Sequence, residues 1–83
     1  MKFAFVKVKC ERGRLEEVAN AVMEIDGVSE VHSITGPFDL LVKLYAPTYD
    51  DFAELIPGRL QAVPGVRETE TLLAFRAFKG SGG

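Results

Sequence analysis

Residues 2–10 alternate between apolar and polar or small positions and are rich in valine and phenylalanine, which predicts a strand. Over residues 13–26 the period changes. Leu15, Val18, Ala19, Val22 and Ile25 recur at helical spacing, with Glu16, Glu17, Asn20 and Glu24 on the other side, so this stretch predicts a helix packed on one face. Residues 28–36 predict a second strand. Thr35-Gly36-Pro37-Phe38-Asp39 predicts a turn, and residues 38–46 a strongly apolar third strand, so the two strands should form an antiparallel hairpin. Thr48-Tyr49-Asp50-Asp51 then opens a second helix, with Thr48 as N-cap and the aspartates at the positive end of its dipole. Phe52, Leu55, Ile56, Leu60 and Val63 form its apolar side. Pro57-Gly58 falls inside it and predicts a kink or a split, because proline removes a backbone donor and clashes with the previous turn. Residues 66–79 predict the last strand.

An internal repeat supports this order. Val22-x-x-Ile25-Asp26-Gly27-Val28 recurs as Leu60-x-x-Val63-Pro64-Gly65-Val66, and Gly27 and Gly65 are 38 residues apart. Each copy is a helix end, a glycine suited to the left-handed closing position, and a strand. The order βαββαβ predicts an α+β, ferredoxin-like sandwich: a four-stranded antiparallel sheet with two helices on one face. Residues 1–79 are expected to form this single domain and residues 80–83, Gly-Ser-Gly-Gly, a flexible tail.

The other face of that sheet has no helix to cover it, yet both parities of the strands are apolar. Ala4, Val6 and Val8 oppose Phe3 and Phe5; Leu40, Val42 and Leu44 oppose Leu41 and Tyr45; Leu72 and Ala74 oppose Leu73 and Phe75. One set meets the helices. The other would leave a larger apolar patch than a monomer normally carries, which argues for a dimer made sheet against sheet. The length, 83 residues, points the same way. So short a chain buries only roughly 60–65% of its unfolded surface, and self-association would supplement its thin core.

Charge and cysteine usage remove other classes. The net charge is −2, whereas nucleic-acid binders usually carry a basic excess on one face. The one basic cluster, Lys2, Lys7, Lys9, Arg12 and Arg14, is divided by the strand alternation and reads as a solvated edge and loop, with a phosphate-contacting patch as the minority reading. The single cysteine, Cys10, forms no internal disulfide, so a secreted disulfide scaffold is not expected. The N-terminus has no uninterrupted apolar run of the signal-peptide kind, and no stretch is long enough to span a membrane. The cytoplasm is the expected location.

The catalytic inventory is sparse. His32 reads as a strand-surface or packed histidine, and Cys10 as a small hydrophobe at a strand end. Together they are too few for a metal site. Glu16/Glu17 and Asp50/Asp51 are adjacent on helices and point about 100° apart, so they do not converge as an acid–base pair would. No catalytic residue, metal or cofactor is expected.

One segment carries ligand chemistry. In Thr35-Gly36-Pro37-Phe38-Asp39, Gly36 permits a tight turn and close backbone approach. The amides of Gly36, Phe38 and Asp39 offer donors to a carboxylate, and Asp39 offers a charge to an ammonium group. Thr69 and Thr71 share a strand face and add hydroxyls. An α-amino acid needs that combination. The competing reading is a hairpin turn shaped by Gly36 and Pro37, in which Asp39 bonds backbone.

These residues carry a family resemblance. Ile25-Asp26-Gly27-Val28, Thr35-Gly36-Pro37-Phe38-Asp39-Leu40-Leu41, Leu60-Gln61-Ala62-Val63-Pro64-Gly65-Val66 and Glu68-Thr69-Glu70-Thr71 together resemble the effector-binding (RAM) domain of the Lrp/AsnC transcription regulators over nearly the whole chain. The resemblance implies the ferredoxin-like fold, dimers formed through the sheets, rings of such dimers, and small effectors, commonly amino acids, bound in clefts between dimers. It places the turn contacts on Thr35, Gly36, Phe38 and Asp39 and the last-strand contacts on Thr69 and Thr71. Regulators of this family carry an N-terminal helix-turn-helix domain. This chain starts at the first strand, so the resemblance is to a stand-alone RAM domain, with no direct contact to nucleic acid or membrane. Pro57-Gly58 interrupts a helix that is usually continuous in the family.

The leading expectation is a small-molecule sensor, of an amino acid, acting in amino-acid metabolism. The alternatives are an assembly partner that mixes with full-length Lrp/AsnC regulators without its own effector, a small dimeric ferredoxin-like enzyme of the monooxygenase type, and an ACT-type regulatory domain. The turn favours RAM over ACT, whose ligand sites centre on the loop after the first strand; Gly13 in that loop keeps ACT open.

Overall fold

Alternation in the first strand, β1 (Lys2–Cys10), sends Ala4, Val6, Val8 and Cys10 into the core and leaves Phe3, Phe5, Lys7 and Lys9 half-buried on the other face. It is followed by α1 (Leu15–Met23), β2 (Val28–Ser33), β3 (Leu40–Ala46), α2 (Tyr49–Leu55), a π-helical turn at Ile56–Leu60, and β4 (Val66–Ala74). This is a computed structural model, and it describes residues 1–82; the last residue of the expected tail, Gly83, lies outside them. The βαββαβ order is as expected, and the strands form one antiparallel sheet in the order β2-β3-β1-β4.

The register settles which parity meets the helices. Val6 of β1 pairs with Val42 of β3, and Val42 with Val31 of β2, so these three share the helix side. Val18 and Val22 of α1, Phe52 of α2, and Ile56 and Leu60 of the π-helical turn close over them. Phe3 pairs with Tyr45, Phe5 with Lys43 and with Leu72, and Lys7 with Leu41, so these residues share the open side.

Local chemistry explains the breaks. Thr48 caps α2: its hydroxyl accepts the Asp51 amide, and the Asp51 carboxylate accepts the Thr48 amide at 3.0 Å. Pro57 has no N–H to continue the ladder, and the helix widens by one residue there, with the Gln61 amide reaching back to the Ile56 carbonyl at 2.8 Å. Leu60 is thereby delivered to the core with no exposed surface. The expected interruption at Pro57-Gly58 is therefore a π-helical turn.

Several boundaries are corrected. The first helix is shorter than residues 13–26, and Leu15, expected on its inner stripe, is 40% exposed. The hairpin strands stop at Ser33 and resume at Leu40, so the linking turn is longer than expected. The last strand ends at Ala74 rather than at residue 79. Ala74 pairs with Phe3, almost at the start of β1, so residues beyond it have no neighbour to pair with. The Tyr49 hydroxyl takes the Ala74 carbonyl at 2.8 Å.

Candidate ligand turn and open sheet face

The turn between β2 and β3 is closed by its own backbone and then tied to β1. The Ile34 amide donates to the Asp39 carbonyl, and the Asp39 amide to the Val8 carbonyl, both at 2.9 Å. One carboxylate oxygen of Asp39, Oδ2, accepts the Cys10 amide at 2.8 Å. Lys9 Nζ donates to the Pro37 carbonyl at 3.2 Å, and the Lys7 ammonium lies 5.1 Å from the centre of the Phe38 ring. Gly36 adopts φ +107° with open space around it. Of the amides that the sequence offers to a carboxylate, that of Asp39 is spent on Val8. Those of Gly36 and Phe38 make no backbone bond among the described residues.

Thr69 and Thr71 pair with Val8 and Val6, so they share the helix side of β4. The Thr69 hydroxyl accepts from Gln61 Nε2 at 2.7 Å, and Thr71 is exposed. Strand β1 stands between β4 and the strand that carries Asp39's turn. Within one chain, then, the turn and the threonines are not brought together. Thr69 lines a shallow hollow of about 440 Å³ with Gln61, Val66, Arg67 and Glu68.

A larger cavity, about 680 Å³, opens at the opposite end of the sheet. Asp26 and Gly27, Tyr45 to Pro47, and Asp51, Glu54, Leu55, Gly58 and Arg59 contribute to it, with Met1. Sequence reasoning missed it because its walls come from separate segments that no motif links.

The open side of the sheet presents Phe3, Phe5, Leu41, Tyr45 and Leu72, with Lys43 among them. The Lys43 ammonium lies 5.2 Å, 5.9 Å and 5.4 Å from the ring centres of Phe3, Phe5 and Tyr45. At the edge, His32 Nε2 and Glu30 Oε1 are 2.8 Å apart, and this bond holds the Glu30 carboxyl below its usual range. Of the basic cluster, Lys7 pairs with Glu70, and Arg14 with Glu11 and Glu17. Among the described residues no group of three or more His, Cys, Asp or Glu side chains is placed to hold a metal ion, and no helix is long and apolar enough to cross a membrane.

The sequence of residues 3–83 matches the family model of the Lrp/AsnC ligand binding domain. The chain belongs to that family. The leucine-responsive regulatory protein of Escherichia coli strain K12 is 30% identical over 80 residues, which is 93% of this chain and 49% of that protein. The crystal structure of TTHA0845 from Thermus thermophilus matches with a TM-score of 0.88 at 34% identity, covering 96% of this chain and 100% of that one. The transcriptional regulator NMB0573 of Neisseria meningitidis, solved as a complex with L-Met, matches with a TM-score of 0.84 at 20% identity over 95% of this chain and 53% of its own, a likeness of fold. This Lrp/AsnC chain spans about half the length of the curated relatives it matches. The family is one of regulators rather than enzymes.

Proposed function

We propose that this Lrp/AsnC domain binds a small effector, an amino acid, and works in the cytoplasm as a sensing and assembly module in the regulation of amino-acid metabolism, without catalysis or a cofactor. The observation that carries the reading is the β2–β3 turn: exposed and glycine-shaped, with the Gly36 and Phe38 amides free of backbone partners, in a chain matched over residues 3–83 by a ligand-binding domain. Those amides and the Thr35 hydroxyl suit a carboxylate. The second oxygen of Asp39, which makes no hydrogen bond among the described residues, suits an ammonium group. The L-Met complex of the Neisseria regulator supports the ligand class.

Because β1 separates the turn from Thr69 and Thr71, an effector that touches both sets sits in a cleft completed by another copy. Dimers formed through the open sheet face, assembled into a ring, supply such clefts, and full-length Lrp/AsnC regulators are further partners. The domain itself touches neither nucleic acid nor membrane.

A thermal-shift screen of the twenty amino acids tests this. A ligand present at 100 times its Kd that ignores the unfolded chain stabilises by about 2.7 kcal/mol. A flat screen at millimolar ligand sinks the effector reading. It favours instead the pure assembly partner, which Asp39's bond to Cys10 also accommodates.

A further inference from the structure

We propose that the C-terminal arm Phe75–Lys79 of one copy docks into the Asp26–Tyr45–Glu54 cavity of a second copy. The contact would lie apart from the ligand turn and needs no effector.

The arm is unusual for its exposure. Once β4 has run out of partner at Ala74, the Phe75 and Phe78 side chains are 81% and 80% exposed. A covered phenylalanine buries roughly 150–250 Å², so two bare rings within four residues are a poor solution for a chain in water. The arm also has an ordered start. Tyr49 holds the Ala74 carbonyl, and its ring meets Phe75 edge-on at 5.6 Å. Further out, the Arg76 guanidinium stacks on the Phe78 ring at 4.5 Å. From residue 75 to the end of the sequence the side chains include Arg76 and Lys79 and no acid. The arm is thus aromatic and basic.

The cavity is its complement. Tyr45, Ala46, Pro47 and Leu55 supply apolar surface, and Asp26, Asp51 and Glu54 supply carboxylates, against one guanidinium, Arg59, and the amino terminus at Met1. Asp51 is occupied by Thr48, which leaves Asp26 and Glu54 to face incoming cations. Its volume, about 680 Å³, is that of a site for a small ligand or a few side chains.

Position permits exchange between copies. The start of β1 pairs with Ala46 and the end of β4 with Phe3, so arm and cavity lie at the same end of the sheet. Five extended residues reach about 16 Å. Two copies meeting at that end about a two-fold axis each place an arm at the other's cavity, so the contact closes on itself.

Cross-linking between two differently labelled copies tests the exchange. In a Cys10→Ala background, Glu54→Cys copies are mixed with Phe78→Cys copies under mild oxidation. The expected result is a disulfide-linked pair in the mixture, well above a control in which Arg12→Cys, at the far end of the sheet, replaces Glu54→Cys. Yields equal to that control overturn the proposal. So does a disulfide confined within single chains when both substitutions are carried by one chain at a concentration where the wild type associates, since the arm would then fold onto its own cavity. As a second measurement, Phe75→Ser with Phe78→Ser should raise the concentration needed for association beyond the dimer by roughly thirtyfold or more. Arg76→Glu should weaken association and Glu54→Arg should restore it in that variant. Unchanged association in the serine variant, or no rescue, overturns the pairing. At a protein concentration high enough to assemble the serine variant, its amino-acid thermal shifts should match those of the wild type, so loss of the arm contact and loss of effector binding are read separately.

Discussion

The carboxylate of Asp39 accepts the backbone amide of Cys10 at 2.8 Å, tying the β2–β3 turn to the end of β1 across 29 residues of sequence. The bond sits where β4 bulges against β1, at Arg67, opposite the step from Lys9 to Cys10. Asp39→Ala leaves that part-buried amide without a partner and should cost roughly 1–3 kcal/mol. Asp39→Asn keeps an acceptor oxygen and should cost clearly less. Urea unfolding midpoints of the two variants check this, and an Asp39→Ala midpoint equal to that of the wild type would show that the bond contributes nothing.

Cys10 reads the same contact from the other side. Burial first, and then the negative charge of Asp39, push its thiol above the usual value. A raised thiol value means less thiolate at any given pH, so alkylation by iodoacetamide should be slower in the folded chain than in urea, with its pH midpoint shifted upward. Asp39→Asn should bring the midpoint part of the way down, since burial remains. The unfolded chain ionises first, so the thiol's contribution to stability is complete below its unfolded value and is lost as pH rises through the folded one. A folded midpoint at or below the unfolded one would contradict the assignment.

Much of the fold was legible because each element carries its own signal. Val18 and Val22 announce α1, Thr48 with Asp51 announces α2, and the repeat locates Gly27 and Gly65. The side on which each strand parity lies was not legible, because Phe3/Phe5 and Ala4/Val6 are both apolar; only pairing with Tyr45 and Val42 separates them. The end of β4 was missed for a related reason. Phe75-Arg76-Ala77-Phe78 continues the alternation, but a strand needs a neighbour, and β1 begins at Lys2. At the turn, Gly36 and Asp39 were legible as residues. The partner of Asp39 was not, since nothing in the sequence points from Asp39 to Cys10.

The glycines rank by surroundings. Gly27, Gly65 and Gly36 all have strongly positive φ, at +97°, +98° and +107°, so alanine is strained at each, by roughly 1–2 kcal/mol. A Cβ on Gly27 would lie 2.7 Å from the Tyr45 carbonyl oxygen, which is backbone and cannot yield. On Gly65 it would lie 2.7 Å from a Val18 methyl, and on Gly36 it would meet nothing within 4 Å. Overpacking adds roughly 1–3 kcal/mol where there is contact. Thermal unfolding should therefore rank Gly27→Ala as most damaging, Gly65→Ala next and Gly36→Ala least. A Gly36→Ala loss equal to that of Gly27→Ala would refute the clash argument.

The open sheet face makes its own forecast. Phe5 lies at its centre, between Lys43 on β3 and Leu72 on β4. If sheets pair, Phe5→Asp removes the central aromatic anchor and sets a carboxylate beside Lys43 in the middle of the interface, whereas in an isolated chain it only wets a half-exposed position. Central aromatic anchors contribute about 2 kcal/mol or more to such contacts. Light scattering at micromolar protein should show a dimer, or a multiple of one, for the wild type, and a monomer with intact circular dichroism for Phe5→Asp. A wild-type monomer would remove the sheet-to-sheet interface.

The effector reading meets its sharpest test at Asp39, because the same side chain already serves β1. Asp39→Asn retains an oxygen for the Cys10 amide and removes the charge that an ammonium group would need. A hydrogen bond to a charged group contributes roughly 1.5–3 kcal/mol, so affinity for the amino acid found by the screen should fall about tenfold to a hundredfold. The oligomeric state should be unchanged and the fold nearly so. Gly36→Ala is less decisive, since it strains the turn that would present the amides. If Asp39 only fastens the turn to β1, calorimetric titrations of wild type and Asp39→Asn should give the same Kd, because the turn keeps its bond and its shape. Equal constants would take Asp39 out of the site and leave the Gly36 and Phe38 amides as its remaining support. A large fall in affinity with an unchanged unfolding midpoint would assign Asp39 two roles: one oxygen holds the turn and the other meets the ligand.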